Sequence, residues 1–246
     1  MIVIGAQAIY MHTGGAAVGL AETTKDSDLA LDTRSLSDVP RLENAMIAAG
    51  FRQDPHAAQP GSWLNPEGIP VDLMVPESLA GGSGRRGARI SPHSQYAARR
   101  AAGLEAALID NAPILVTPLD SRDGRAYTAN VAGPAALLVT KLHKLGERQS
   151  TPGRLIDKDA HDLYRLLIAT RTENLAHTLR QLQNDPLAGP TTHQALTYLA
   201  DLFAPGPDAV GAMMAGRAEQ GIGDPLTVAT SAAILASDLL HALQSS

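Results

Sequence analysis

Short apolar runs punctuated by glycine and polar turns dominate the first half of the chain, and helical spacing takes over near Val131. Met1-Ile2-Val3-Ile4 reads as a buried strand running straight into Gly5, and Ala6-Gln7-Ala8-Ile9-Tyr10-Met11 then has helical character. Thr24-Lys25-Asp26-Ser27-Asp28-Leu29-Ala30-Leu31 passes from polar to apolar, as a strand entering a core does. Ser37-Asp38-Val39-Pro40 predicts the start of a helix that continues through Leu42, Met46 and Ile47 and stops at Gly50. Trp63-Leu64 and Ile69-Pro70-Val71-Asp72-Leu73-Met74-Val75 flank Asn65-Pro66-Glu67-Gly68, the pattern of a hairpin. Residues 104–110 and 113–118 alternate between apolar and small, and 127–131 look extended, so these stretches are expected to complete the sheet.

Beyond that point Gly133-Pro134 marks a helix start, with proline tolerated in the first turn. Leu138, Leu142 and Leu145 recur at helical spacing, and Lys141, Lys144 and Arg148 form a basic stripe beside them. The next helix, over 156–169, carries Asp159 and Asp162 on one side and Leu163, Leu166 and Leu167 on another. Further helices are expected over 173–182, 192–203, 207–218 and 225–243, the last with Ile234, Leu235, Leu239, Leu240 and Leu243 as an apolar face. The expected architecture is α+β: a mixed sheet with helices over residues 1–130 and a helical bundle over 131–246, with a cleft between them.

Composition narrows the functional classes. The chain has 246 residues, 44% hydrophobic and 18% charged, which is enough to bury a full core and excludes a disordered chain. Two Phe and one Trp leave little for stacking platforms that grip single-stranded nucleic acid. A net charge of −5 argues against broad non-specific nucleic-acid binding and is compatible with a local basic patch. With no cysteine, disulfides and thiolate metal sites are excluded, and a cytoplasmic location is expected. No signal peptide or membrane span is read, and the eight histidines form no pair at zinc spacing. His12, His143 and His161 read as surface or packed imidazoles.

Three acids carry the candidate chemistry. In an extended chain Asp26 and Asp28 point the same way, and paired anions that must be desolvated call for a cation; oxygen-only ligands suit Mg²⁺ or Mn²⁺. Taken alone, Asp-x-Asp is also the pattern of a solvated turn. Asp72 interrupts an apolar strand whose Val71, Leu73 and Val75 share the other face, as a paired core charge or a third metal-side carboxylate would. Glycine at the Ile4–Gly5 junction lets a phosphate approach the backbone and the first helical N–H groups. The basic stripe and the Asp159/Asp162 pair read either as ion pairs on wet helix faces or as a phosphate-facing wall. Ala80-Gly81-Gly82-Ser83-Gly84-Arg85-Arg86-Gly87-Ala88-Arg89 is a glycine-rich basic loop, an inert insertion or an arm whose Arg85, Arg86 and Arg89 meet acceptor phosphates with help from Arg99 and Arg100. It lacks the lysine and hydroxyl of a P-loop.

In the order of these blocks the chain resembles the nucleotidyltransferase superfamily and, within it, the AbiEii and MenT-type toxins of type IV toxin–antitoxin systems. The matching stretches are Val3 to Ile9, Thr24 to Leu29, Val71-Asp72-Leu73, Val131 to Leu142, Arg148, and Lys158-Asp159-Ala160-His161-Asp162-Leu163-Tyr164-Arg165-Leu166. The resemblance implies a metal-dependent enzyme that moves a nucleoside monophosphate from a triphosphate, ATP among the candidates, to an acceptor such as tRNA or a protein, with a cognate antitoxin as a further partner. It implies that Asp26, Asp28 and Asp72 hold the metal, that Lys141 contacts the triphosphate, and that Asp159 closes the site. Gly5, Ala6, Gln7, Thr24 and Lys25 would lie against the nucleotide. Two departures stand out. Ala6 replaces the phosphate-binding serine that many members place after the glycine, and the chain begins at the glycine strand itself, leaving one sheet edge expected to be thin. The alternatives are a non-catalytic nucleotide-binding module and an antitoxin-like partner protein whose acids merely pair with the basic stripes.

Overall fold

A computed structural model describes residues 1–20, 24–57, 59–82, 86–118, 120, 122–151, 153 and 155–245. Its sheet begins with β1 (Ile2–Ile4), antiparallel to β2 (Ser27–Ala30) and parallel to β8 (Tyr127–Ala132). β2 runs parallel to β5 (Pro70–Pro76), whose other edge is divided between β4 (Ser62–Leu64) and β6 (Arg99–Ala101). β3 (Arg52–Gln53) and β7 (Asn111–Val116) lie at the two ends of the order β3-β4-β5-β2-β1-β8-β7. The glycine strand is therefore interior, flanked on both sides, and not the thin edge that its place in the sequence led us to expect.

The hairpin forms as its turn chemistry dictates. Asn65 accepts the Ile69 amide on its side-chain oxygen at 2.7 Å, the Gly68 amide bonds back to the Asn65 carbonyl, and Gly68 supplies the positive φ. That turn sets Leu64 opposite Pro70 and Ser62 opposite Asp72. Trp63, buried on this hairpin, donates its indole N–H to the Ala97 carbonyl at 2.9 Å.

Two cores sandwich the sheet. The smaller gathers Leu31, Trp63, Val71, Leu73 and Val75 against Leu42 and Met46 of α2 (Leu42–Ala48) and the segment at Ala97 and Ala98. The larger joins Ile2, Ile4 and Val131 of the sheet to α1 (Gly5–Thr13), α4 (Pro134–Gly146), α5 (Asp157–Ala169) and the helices beyond. A division at residue 130 falls inside β8, and the larger core runs across it without a break. Each fully buried leucine here, such as Leu138 or Leu163, contributes about 1.5–3 kcal/mol by leaving water.

Helix ends follow from local residues. Pro134 opens α4, and Asp110 accepts the Ala136 amide at 2.9 Å, so an acid from another element satisfies the helix N-terminus. Asp110 ends α3 (Glu105–Ile109), which the alternating pattern had predicted as strand; Ala106 and Ala107 favour a helical turn, and both are buried. The predicted helix start at Ser37 moves to Leu42, because the residue before Pro40 is pushed towards extended backbone and Arg41 is itself extended.

The remaining helices are α6 (Thr172–Asn184), α7 (Gly189–Leu202), α8 (Val210–Ala218) and α9 (Pro225–Gln244). On α9 the buried stripe is Val228, Ala229, Ala232, Ala233, Ala236 and Leu239, while Ile234 of the expected apolar face is 55% exposed. The buried alanines carry this stripe into the larger core. By length and composition alone, α9 is long and apolar enough to cross a membrane, the one such helix among the described residues.

Candidate active site

β2 and β5 run parallel in a register that sets Asp28 beside Asp72, with Ile4 of β1 opposite Asp28 on the other side. Both carboxylates open into a cleft of about 520 Å³, with Gly5 and Asp26 along one side and Thr140, Lys141, Lys144 and Arg148 of the α4 region along another. Asp26 precedes the strand, and Thr24 donates its hydroxyl to Asp26 Oδ1 at 2.7 Å.

Two glycines let the backbone come this close. Gly5 has a φ of +70°, and a Cβ there would lie 2.2 Å from Asp28 Oδ2. Gly61 has a φ of +82°, and its Cβ would lie 2.5 Å from the Leu73 carbonyl and 2.7 Å from the Arg99 amide, so only glycine lets β4 lie against the strands bearing Asp72 and Arg99.

The acids differ in how they are satisfied. Asp72 accepts the Ser62 hydroxyl at 2.7 Å on Oδ1 and the Arg99 guanidinium at 2.9 Å on Oδ2. Asp28 lies 3.9 Å from the same guanidinium. Burial, reinforced by the neighbouring Asp26 and Asp72 charges, outweighs Arg99 and Lys144 and pushes the Asp28 carboxyl up to about 6. The Asp28 carboxylate is therefore poorly compensated, chiefly because it is buried.

On the opposite wall Lys141 donates to Asp159 at 2.8 Å and to Asp162 at 2.6 Å, and Lys144 adds a second bond to Asp159 at 2.8 Å. Arg148 approaches Asp159 at 3.5 Å, and Lys158 approaches Asp162 at 3.3 Å. Burial disfavours the Asp159 anion, but Lys141 and Lys144 overcome it and hold its carboxyl down to about 2. Burial alone would lower Lys141; its two acids outweigh that and keep it protonated. Burial, aided by repulsion from Lys141, lowers Lys144 instead.

Gly5, Asp26, Asp28, Asp72 and Lys141, singled out in the sequence, thus share one cavity with Lys144, Arg148, Arg99 and Arg100. Asp159 stands behind Lys141 as its buried partner. Gln7 accepts the Ser27 hydroxyl at 2.9 Å, and Ala6, Thr24 and Lys25 are not among the cavity-lining residues. Of the loop arginines, Arg86 reaches the cleft, Arg89 is exposed outside it, and Arg85 lies outside the described residues. Sequence reasoning missed Ser62, although counting the hairpin register back from Asn65-Pro66-Glu67-Gly68 pairs it with Asp72. It placed Arg99 only as an aid to acceptor phosphates, not as the partner of Asp72.

A second buried cluster ties the bundle to the segment leading into β2. Glu219 lies 2.7 Å from His161 and accepts the Gly19 amide at 2.9 Å, while Arg165 donates to the Leu20 carbonyl. Burial holds His161 below the ordinary imidazole range despite Glu219, so it packs as a neutral ring.

Among the described residues, no three His, Asp or Glu side chains are gathered into a ready-made metal cage. Asp26, Asp28 and Asp72 nevertheless line one open cleft, and their oxygen donors fit Mg²⁺, which keeps several waters and shares substrate phosphates. A nucleotidyltransferase family model matches residues 1–187, and the chain belongs to that family. No curated protein and no solved structure matches. The α+β fold, its mixed sheet and its helical C-terminal region accord with the family, whose members transfer a nucleoside monophosphate.

Proposed function

We propose that the chain is a divalent-cation-dependent enzyme that moves a nucleoside monophosphate from a triphosphate to an acceptor hydroxyl or phosphate. The observation that carries this reading is the side-by-side placement of Asp28 and Asp72 on adjacent parallel strands, at a cleft whose opposite wall is cationic. Asp26 and Asp28 would hold Mg²⁺ or Mn²⁺, with Asp72 completing the set. The cation supplies charge neutralisation for the triphosphate and the departing pyrophosphate.

The chain's own groups account for the rest. An acceptor oxygen attacks the α-phosphorus; the new P–O bond forms as the bond to the β-phosphate oxygen breaks, and pyrophosphate leaves with that electron pair. Asp72, fixed by the Ser62 hydroxyl, orients the acceptor and takes its proton. Lys141 uses two of its three N–H donors on Asp159 and Asp162, which leaves one for a phosphate oxygen. Lys144 and Arg148 add positive charge on the same wall. Because Ala6 has no hydroxyl, phosphate contact at the start of α1 falls to backbone N–H groups.

The sequence resemblance to AbiEii and MenT-type toxins supports RNA, tRNA in particular, or a protein as acceptor, a cognate antitoxin as partner and a cytoplasmic setting. A non-catalytic nucleotide-binding module is the second reading, and Ala6 is the residue that favours it. The test is incubation of the protein with each labelled triphosphate, Mg²⁺ or Mn²⁺, and total cellular RNA or protein. Label transferred to a macromolecule with pyrophosphate release, lost in Asp28→Ala, is expected. Metal-dependent triphosphate binding without pyrophosphate release would establish the module instead.

A further inference from the structure

We propose that Arg99 is a built-in stand-in for the cation: its guanidinium holds Asp72 and Asp28 together in the unloaded site and gives way when a divalent ion enters. This rests on the metal-dependent reading above.

The geometry has three parts. Arg99 Nη2 lies 2.9 Å from Asp72 Oδ2 and 3.9 Å from Asp28 Oδ1, so one nitrogen sits between the two acids that the metal would share. The contact to Asp72 is single, not a paired fork, and Arg99 Nε is buried with no hydrogen-bond partner, so the guanidinium is not fully engaged where it rests. The side chain also lines the cleft. Arginine cannot shed its charge by deprotonation, so a divalent ion arriving at these carboxylates must displace it or tolerate it at close range. The displaced guanidinium remains in the cavity that receives the triphosphate, where its freed donors suit phosphate oxygens. Arg100, the neighbour in sequence, plays no such part: it is held by Glu77 and the Gly82 carbonyl.

Ser62 makes the exchange workable. Its hydroxyl holds Asp72 Oδ1 independently of Arg99, so the carboxylate keeps its aim when the guanidinium leaves. Gly61, pressed against the Arg99 amide, fixes the strand from which Arg99 reaches.

The experiment measures Mn²⁺ binding without nucleotide, by paramagnetic resonance of free Mn²⁺, for the native chain, Arg99→Met, Arg99→Lys and Asp28→Ala. Arg122→Met, which breaks an exposed Arg–Asp pair outside the cleft, is the control. Removal of one competing charge at this distance is expected to tighten Mn²⁺ binding by about tenfold in Arg99→Met. Arg99→Lys, whose shorter side chain carries its charge farther from Asp28 and Asp72, should shift Mn²⁺ binding in the same direction by less, and it supplies the measurement if Arg99→Met fails to fold. Unchanged or weaker Mn²⁺ binding in the folded Arg99 variants, with binding still lost in Asp28→Ala, overturns the inference and leaves the metal-dependent reading standing. Absence of Mn²⁺ binding in the native chain overturns both.

Discussion

Asp28 and Asp72 are register partners on neighbouring parallel strands, so their Cα positions are fixed to each other by the backbone ladder and not by a loop. Sites built on strands hold their geometry better than sites on loops, and here the pairing also sets the electrostatic problem that the cleft must solve.

Asp28 should make the metal-free protein less stable as pH rises. Its carboxyl is raised to about 6, so between about 4 and 6 the folded state binds more protons than the unfolded state, and stability falls over that window. Urea titrations in EDTA should show this decline. Asp28→Asn should remove most of it and stabilise the chain at pH 7.5 by about 1–3 kcal/mol while abolishing transfer. A flat profile in the native protein would contradict the assignment.

Asp159 acts in the opposite direction. Its carboxyl is held down to about 2, so its contribution is fully present above about 4 and is lost as pH falls towards 2. Lys141→Met leaves Asp159 and Asp162 buried with fewer partners, and a loss of about 3–5 kcal/mol is expected by equilibrium unfolding at pH 7.

Gly5→Ala should damage both fold and chemistry. The positive φ costs about 1–2 kcal/mol for a residue with a Cβ, and the methyl group would force the Asp28 carboxylate aside. Calorimetry should show the lower melting temperature, and metal titration should show weakened binding.

Glu219→Ala should free the segment before β2. The Gly19 amide loses its acceptor and His161 its carboxylate partner, a cost of about 1–3 kcal/mol for buried polar groups left unpaired. Hydrogen exchange at Gly19 should then accelerate, whereas Arg217→Met, which breaks the exposed pair with Asp157, should leave it unaltered.

Much of the sheet was legible because its signals are local. The strand–Gly5 junction, the Asn65-Pro66-Glu67-Gly68 turn and the Gly133-Pro134 helix start each act over a few residues. Asp28 and Asp72 were visible separately as acids entering or interrupting apolar strands. Their adjacency was not visible, because parallel pairing has no short turn to announce it. Arg99 lies on a strand of only three residues after an irregular stretch, so no periodicity marked its face. Residues 104–110 misled for a related reason: small and apolar residues suit either a strand or one helical turn, and tertiary packing decided the matter. The buried His161–Glu219 pair joins α5 to the end of α8 and left no trace in spacing.

The larger core has a genetic corollary. Since α4 supplies Lys141 and Lys144 to the cationic wall, α5 holds Lys141 from behind through Asp159 and Asp162, and the leucines of both helices pack in one cluster with Ile4, Ile9 and Val131, the pocket depends on the sheet and the helices together. A split gene expressing the sheet and the bundle as separate products should yield two sticky, inactive pieces, and complementation between them should require that this buried seam re-form.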